Sequence, residues 1–387
     1  MNNSTFQPVS LREIGYFYGG LTGKSGKDFG RGNSRYITFM NVIKNVIAES
    51  DLIEFVEIKD GERQNKVSKG DLLFNGSSET PEEVAFPSLV TSDLEGLYLN
   101  SFCFGFRFDK LDIIDPLFFA YYLRSNYGRQ FMSQLAQGST RYNISKRALL
   151  DVEWRLPNVK EQKAIAEALS DINDLIRNLT SLLKKKTMLF EGTRHELLSG
   201  KRRLPSYANE WKLTKVADLV TVDWGNTNLT KASYKNGGQY LAVSATGIDG
   251  HIDHFEHEAY VPVISAIGAL CGKMMLPKSK FVAIKNTITL TPFKNKVDGA
   301  FIFHFFNYCQ LPIRGGAQPF ISKGDVEKFE ILLPIQSPDS YQEQKEIGSI
   351  LEDMSSEIDE IQVSIQKYEW LKQGMMNDLL TGKVRLV

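Results

Sequence analysis

The chain has 387 residues, enough for two or three domains with cores of their own, and 42% apolar with 24% charged residues is an ordinary composition for a folded protein. No run of about eighteen apolar residues and no signal-type start is present, so a cytoplasmic protein without a membrane partner is expected. Cys103, Cys271 and Cys309, odd in number and far apart, fit buried thiols in a reducing compartment better than a disulfide set or zinc site, and 46 basic against 46 acidic side chains give no overall attraction to nucleic acid.

Along the first half, a short segment from Phe6 to Ile14 leads into a glycine-rich run, Gly19 to Arg35. It carries Lys24, Lys27, Arg31, Asn33 and Arg35 with no compensating acidic cluster, and reads as a flexible loop. Gly19 to Ser25 is one residue short of a phosphate-binding P-loop, and no helix pattern follows. Tyr36 to Met40 and Phe102 to Phe108 read as strands. Asp51, Glu57 and Lys59 mimic a nuclease metal motif, but they lie in an alternating stretch that a half-exposed strand explains. Pro116 to Leu123 reads as a buried aromatic helix. A second glycine-rich loop, Gln137 to Lys146, offers Arg141, Asn143 and Lys146, and Leu156-Pro157 closes the segment.

A long helix follows. Ile165, Leu169, Ile172, Ile176, Leu179 and Leu183 step alternately by four and three, the seam of a coiled coil. Leu197-Leu198-Ser199-Gly200 ends it, glycine after paired leucines being a stop signal.

The order then repeats. Trp211 to Leu219 resembles the opening segment. A loop from Trp224 carries Asn226, Lys231, Lys235 and Gln239; Tyr240 to Val243 and Thr287 to Leu290 read as strands. His251, His254 and His257 lie on a turn and strand, where residues three apart alternate faces and converge on no metal. Gly299 to Phe306 matches the aromatic helix. Arg314 to Lys323, with Gln318, mirrors the second loop, and Leu333-Pro334 precedes a second seam: Ile347, Leu351, Met354, Ile358, Ile361, Ile365 and Tyr368. From 161 to 204, sixteen of 44 positions are identical to those 182 residues later, including Glu161-Gln162-Lys163 with Glu343-Gln344-Lys345.

These features predict an α+β protein of two tandem recognition domains, 1–157 and 206–334. Two long spacer helices, within 158–205 and 335–387, separate them. The first helical segment carries ten basic and six acidic residues, a net of +4; the second carries five and ten, a net of −5. Matching seams and opposite charge predict an intramolecular antiparallel coiled coil with a pseudo-twofold. A helix from 161 to about 195 would span roughly 50 Å. The copies agree in helices and exits but diverge in their middles, the pattern of one scaffold presenting two readout surfaces.

The duplicated Leu-Pro…Glu-Gln-Lys-x-Ile entries and Leu-Leu-Ser/Thr-Gly-Lys-x-Arg-Leu exits resemble the specificity subunit of type I restriction-modification enzymes over essentially the whole chain. The resemblance implies two target-recognition domains, each reading one half of a bipartite site on double-stranded DNA. It implies helices that space the domains and dock two methyltransferase subunits, with restriction/translocase subunits completing the complex. Such a chain is non-catalytic, and S-adenosylmethionine, ATP and Mg belong to the partners. No Asn-Pro-Pro-Tyr tetrapeptide of a DNA methyltransferase occurs. Within the loops, the shared Lys146 and Lys323 are expected on phosphates and the divergent Arg141 and Gln318 on bases. The other reading is a coiled-coil adaptor that binds proteins or ligands without reading DNA.

Overall fold

A computed structural model describes residues 6–92, 96–208, 210–309, 311–334 and 338–386. The chain divides into two compact units: residues 1–179 with 365–387, and residues 180–364. Each long helix, Val159–Leu198 and Pro338–Leu380, is therefore shared between units, whereas the sequence boundaries assign it whole to a spacer segment.

In the first unit, Gln7–Ser10 pairs antiparallel with Glu153–Leu156, tying the domain's start to its end. A four-stranded antiparallel sheet runs in the order Gly15–Gly19, Cys103–Phe108, Leu72–Asn75, Pro87–Leu89. A three-stranded sheet has Phe29–Ile37 at its centre, antiparallel to Ile53–Val56 and parallel to Leu97–Leu99. In the second unit Trp211–Lys215 pairs with Glu330–Pro334. Its four-stranded sheet runs Val220–Trp224, Thr287–Pro292, Val263–Ser265, Met274–Met275. Tyr240–Ser244 is again central to three strands, antiparallel to Gly247–Ile252 and parallel to Phe281–Ala283. The same topology, down to the one parallel pairing, recurs in both.

The aromatic helices form as expected, Pro116–Arg124 and Gly299–Tyr308. Asp115 and Asp298 cap them by accepting the Phe118 and Phe301 N–H groups, which relieves one of the unpaired donors at each helix start. The repeated Glu-Gln pair now has a physical reason. Gln162 accepts the Asp115 N–H at 2.8 Å and donates to the carbonyls of Pro157 and Ile113. Gln344 does the same with Asp298, Pro334 and Lys296. Each buried glutamine thus fastens the long helix to the domain before it.

Within the first unit Ile165 and Leu169 share a core with Met376, Leu379 and Leu380. Within the second, Leu197 and Leu198 share one with Ile347 and Leu351, and Lys186 meets Glu357 at 2.6 Å. In both cases the start of one helix lies with the end of the other, so the segments run antiparallel. Of the expected seam, Ile165, Leu169, Ile172, Ile347, Leu351 and Ile361 are buried. Ile176, Leu179, Leu183, Met354, Ile358 and Ile365 are half-buried. Both helices end on a glycine in the left-handed region, Gly200 at φ 69° and Gly382 at φ 70°.

Two local readings change. The strand expected over Tyr36 to Met40 ends at Ile37, because the Thr38 hydroxyl accepts the Asn41 N–H and starts the helix Phe39–Lys44. The run Gly19 to Arg35 is also less loop than expected. From Phe29 it is strand, with a register shift between Phe29 and Ser34, so Arg31, Asn33 and Arg35 stand on a sheet. No helix of the described residues is long and apolar enough to cross a membrane.

Candidate nucleic-acid interface

The second glycine-rich loop of the first unit is a built hairpin. Ala136–Gln137 pairs with Tyr142–Ile144, which pairs in turn with Ser77–Ser78. Gly138 makes the turn at φ 130°, and a Cβ there would lie 2.2 Å from the Arg141 carbonyl oxygen, so only glycine fits. The second unit repeats the arrangement more sparsely. Arg314 and Phe320 exchange both backbone hydrogen bonds at 2.8 Å, and Phe320 bridges to Ile267.

Behind each hairpin a serine caps a short helix and aims a lysine at the four-stranded sheet. Ser145 caps Lys146–Leu150, and Ser322 caps Lys323–Lys328. Lys146 Nζ lies 5.3 Å from the Phe104 ring centroid and beside Gly19, where the first loop begins. Lys323 Nζ lies 3.0 Å from Asp223, on the corresponding strand. The two loops of each unit therefore meet at the same lysine, which their separation in sequence did not reveal.

Equivalent lysines differ in electrostatics. Burial pushes the Lys146 ammonium's pKa down, and among the described residues no carboxylate pairs with it. Lys323 is shifted up, first by its hydrogen bond to Asp223, so a phosphate there would compete with a resident carboxylate. Lys24 is committed elsewhere. Its ammonium donates to Glu62 and to the Glu57 carbonyl at 2.6 Å each, with only 3% of the side chain exposed. The absence of a compensating acid expected from the sequence is thus corrected: Glu62 compensates, from 38 residues away. Asn33 is pinned in both directions to the Ile58 backbone.

Lys27 and Lys235 are exposed, and Arg31 is exposed with its Nε donating to the Lys27 carbonyl. Arg35 lies over the Phe55 ring at 5.9 Å and Arg141 over Phe102 at 5.7 Å, both aromatic rings being half or more exposed. Sequence reasoning missed these pairings. Phe102, at the start of an otherwise buried aromatic strand, carried the only signal. Asn143 donates weakly to the Arg141 carbonyl, so both stay at the hairpin tip, and Gln318 is exposed at the matching tip.

In the second unit Asn226 donates to Glu256, and Lys231 donates to Thr246 and Asp249. Burial raises the Asp249 carboxyl, but hydrogen bonds from Lys231, Thr246, Tyr234 and Ser244 outweigh it and hold the pKa well below the usual range. Among the described residues, the candidates of this unit without a side-chain partner include Lys235 and Gln318, whereas Lys231 and Lys323 are already paired. Glycines recur where backbones touch: a Cβ at Gly20 would lie 2.1 Å from the Asn100 carbonyl oxygen, and one at Gly225 2.4 Å from the Ile284 carbonyl oxygen.

No three His, Cys, Asp or Glu side chains gather to hold a metal among the described residues. His251 lies in the strand Gly247–Ile252, while His257 stacks on Phe281 at 5.0 Å. Asp51 falls in a 3-10 turn before the strand Ile53–Val56, and Glu57 and Lys59 follow it.

Fold and surface together define a duplicated recognition scaffold: two like domains on shared helices, each presenting a glycine-hinged hairpin and its cations. The family model described as type I restriction modification DNA specificity domain matches residues 3–186 and 208–367. The chain belongs to that family, and its role is DNA recognition. It is 23% identical over 313 residues to the type I restriction enzyme MjaVIII specificity subunit of Methanocaldococcus jannaschii, covering 72% of each chain. Its fold is similar to the crystal structure of a type I restriction-modification S subunit from M. genitalium. The TM-score is 0.69 at 16% identity, over 98% of this chain and 97% of that one. The family is a specificity component and generally not a catalytic one.

Proposed function

We propose that each recognition domain reads one half of a bipartite, asymmetric DNA site. On this reading the two long helices pair along their length as the spacer and dock two methyltransferase subunits on their outer faces. Restriction/translocase subunits complete the assembly, in the cytoplasm, and S-adenosylmethionine, ATP and Mg are held by those partners. The observation that carries the reading is one sheet topology and one hairpin occurring twice with different side chains at the tips, Arg141 and Asn143 in one and Gln318 in the other. Shared architecture positions the backbone of the duplex, and divergent tips discriminate bases. Exposed apolar side chains on the helices, Met188, Leu189, Val363 and Trp370 among them, favour protein partners there.

Methylome sequencing of cells with and without this chain, in the presence of its methyltransferase partner, tests the proposal. Loss of a single two-part adenine-methylation motif is expected. An unchanged methylome would leave the adaptor role instead.

A further inference from the structure

The first unit contains a cavity of about 450 Å³, walled by the Lys44–Glu49 turn, the aromatic helix and stretches of both long helices. Four cations line it, Lys44, Arg124, Arg177 and Lys372, against two carboxylates, Glu49 and Asp174. Asp174 is already spent on Arg177 at 3.0 Å.

Neither of the two innermost cations forms an ion pair among the described residues. Arg124 donates from Nε to the Pro87 carbonyl at 2.7 Å, and from Nη2 to those of Val42 and Asn45 at 2.7 and 2.8 Å. Its Nη1 has no acceptor among the described residues. Lys372, half-buried on the second long helix, has no hydrogen-bond or ion-pair partner there either. Burial, and then the charge of Arg124, push the Lys372 ammonium's pKa down against the smaller opposing effect of Glu369. A low-dielectric wall with two such donors is costly unless an anion joins them.

The second unit shows what fills the equivalent place. The repeat sets Tyr121 against His304, Ser170 against Glu352 and Lys372 against Phe190. There Glu352 lies 2.9 Å from His304 Nε2 and 3.1 Å from Lys278 Nζ, so the chain supplies its own carboxylate and an aromatic ring takes the place of the lysine. In the first unit serine stands where that carboxylate would be, and the space stays open. Ser170 and Asn173 remain as neutral polar groups on its wall, the latter donating to the Tyr121 hydroxyl at 2.6 Å.

We propose that this cavity is a binding site for a phosphate-type oxyanion, held by Arg124 Nη1 and Lys372 Nζ in the position that Glu352 occupies in the other repeat. The volume falls in the range of small-molecule sites, so the phosphate group arrives either as the free ion or on a nucleoside. Bound there, it would link the first recognition domain to both long helices.

Thermal melting and titration calorimetry of the full chain, at constant ionic strength, test the site with inorganic phosphate and with ATP as probes. Phosphate is expected to raise the Tm of the wild type by a few degrees, roughly the effect of ligand at many times its Kd. Lys372→Met should weaken binding on the order of tenfold or more, and Ser170→Glu should raise the Tm without phosphate and abolish the response. Tighter binding of ATP than of phosphate identifies a nucleoside phosphate; equal or weaker binding identifies the free ion. No response to either probe, or equal responses in the wild type and both variants, overturns the proposal.

Discussion

Arg203 grips Glu343 with two parallel hydrogen bonds of 2.8 Å, from Nε and Nη2 to the two carboxylate oxygens. One repeat away, Arg385 grips Glu161 in the same manner. Each arginine also covers the aromatic residue that opens a domain: Arg203 lies 5.6 Å from Trp211 and Arg385 5.7 Å from Phe6. The repeated Lys-x-Arg-Leu exit is thus a clasp that joins the end of one helix, the start of the other and the first strand of a domain.

Because the Glu343 side chain is fully buried, removing its partner strands a charge. Arg203→Ala should cost roughly 3 kcal/mol in urea unfolding, and the double variant Arg203→Met with Glu343→Gln should recover much of it. Equal stability of the single and double variants would contradict a buried clasp.

The exit glycines should not tolerate side chains equally. Both have left-handed φ, costing alanine about 1 kcal/mol. A Cβ at Gly382 would also come within 2.7 Å of the Phe6 ring, against 3.3 Å from Trp211 at Gly200. Gly382→Ala is therefore expected to lower the Tm more than Gly200→Ala. The reverse order would refute the packing argument.

Cations that look alike in the sequence should behave differently on DNA. Lys146→Ala is expected to weaken binding of all sites and to reduce the salt slope by about one. Lys24→Met should leave that slope unchanged, since its charge is spent on Glu62. Lys323→Ala should fall between them, because Asp223 already holds that ammonium. Arg141→Ala should relax one half-site by about 1–3 kcal/mol. Binding curves over a salt series, with cognate and half-site-variant duplexes of the methyltransferase complex, separate these outcomes.

The clasp of Lys24 on Glu62 sets a pH window. The Glu62 carboxyl is held down to about 2 from an ordinary 4.5, first by the Lys24 hydrogen bond, then by the Lys59 N–H and Gln64. A depressed folded pKa stabilises above the unfolded value, and that contribution is lost as pH falls through the folded one. Amide protection factors around residues 57–64, corrected for the intrinsic exchange rate, should therefore fall between about pH 4.5 and pH 2 in the wild type, and not in Glu62→Gln.

Helix length should set spacer length. One heptad added to both long helices keeps the seam in phase and adds about 10 Å at 1.5 Å per residue, about three base pairs at 3.4 Å each. Methylation mapping should return the same half-sites with a longer gap. Altered half-sites with the old gap would rule the helices out as the ruler.

Much of the architecture was legible because it is written in local periods and in a duplication. The 4-3 seams, the glycine stops after paired leucines and the two aromatic runs each announce an element within a few residues of themselves. The strand over Phe29–Ile37 was not legible: glycines and charges break its alternation, and its pairing with Ile53–Val56 and Leu97–Leu99 holds it extended. The thirteen polar and charged candidates form one class in the sequence, and only the folded chain shows which of them already have partners.

Sequence by itself determined that this protein is one scaffold used twice, since identity at a fixed offset needs no coordinates. It also determined that Lys146 and Lys323 are equivalent positions. Tertiary structure alone decided that they are not equivalent cations. Lys323 meets an aspartate 100 residues away, Lys146 meets a phenylalanine ring, and Lys24 disappears into a glutamate 38 residues on. A charge is free or spent according to what folding brings within about 4 Å of it, and no local pattern carries that distance.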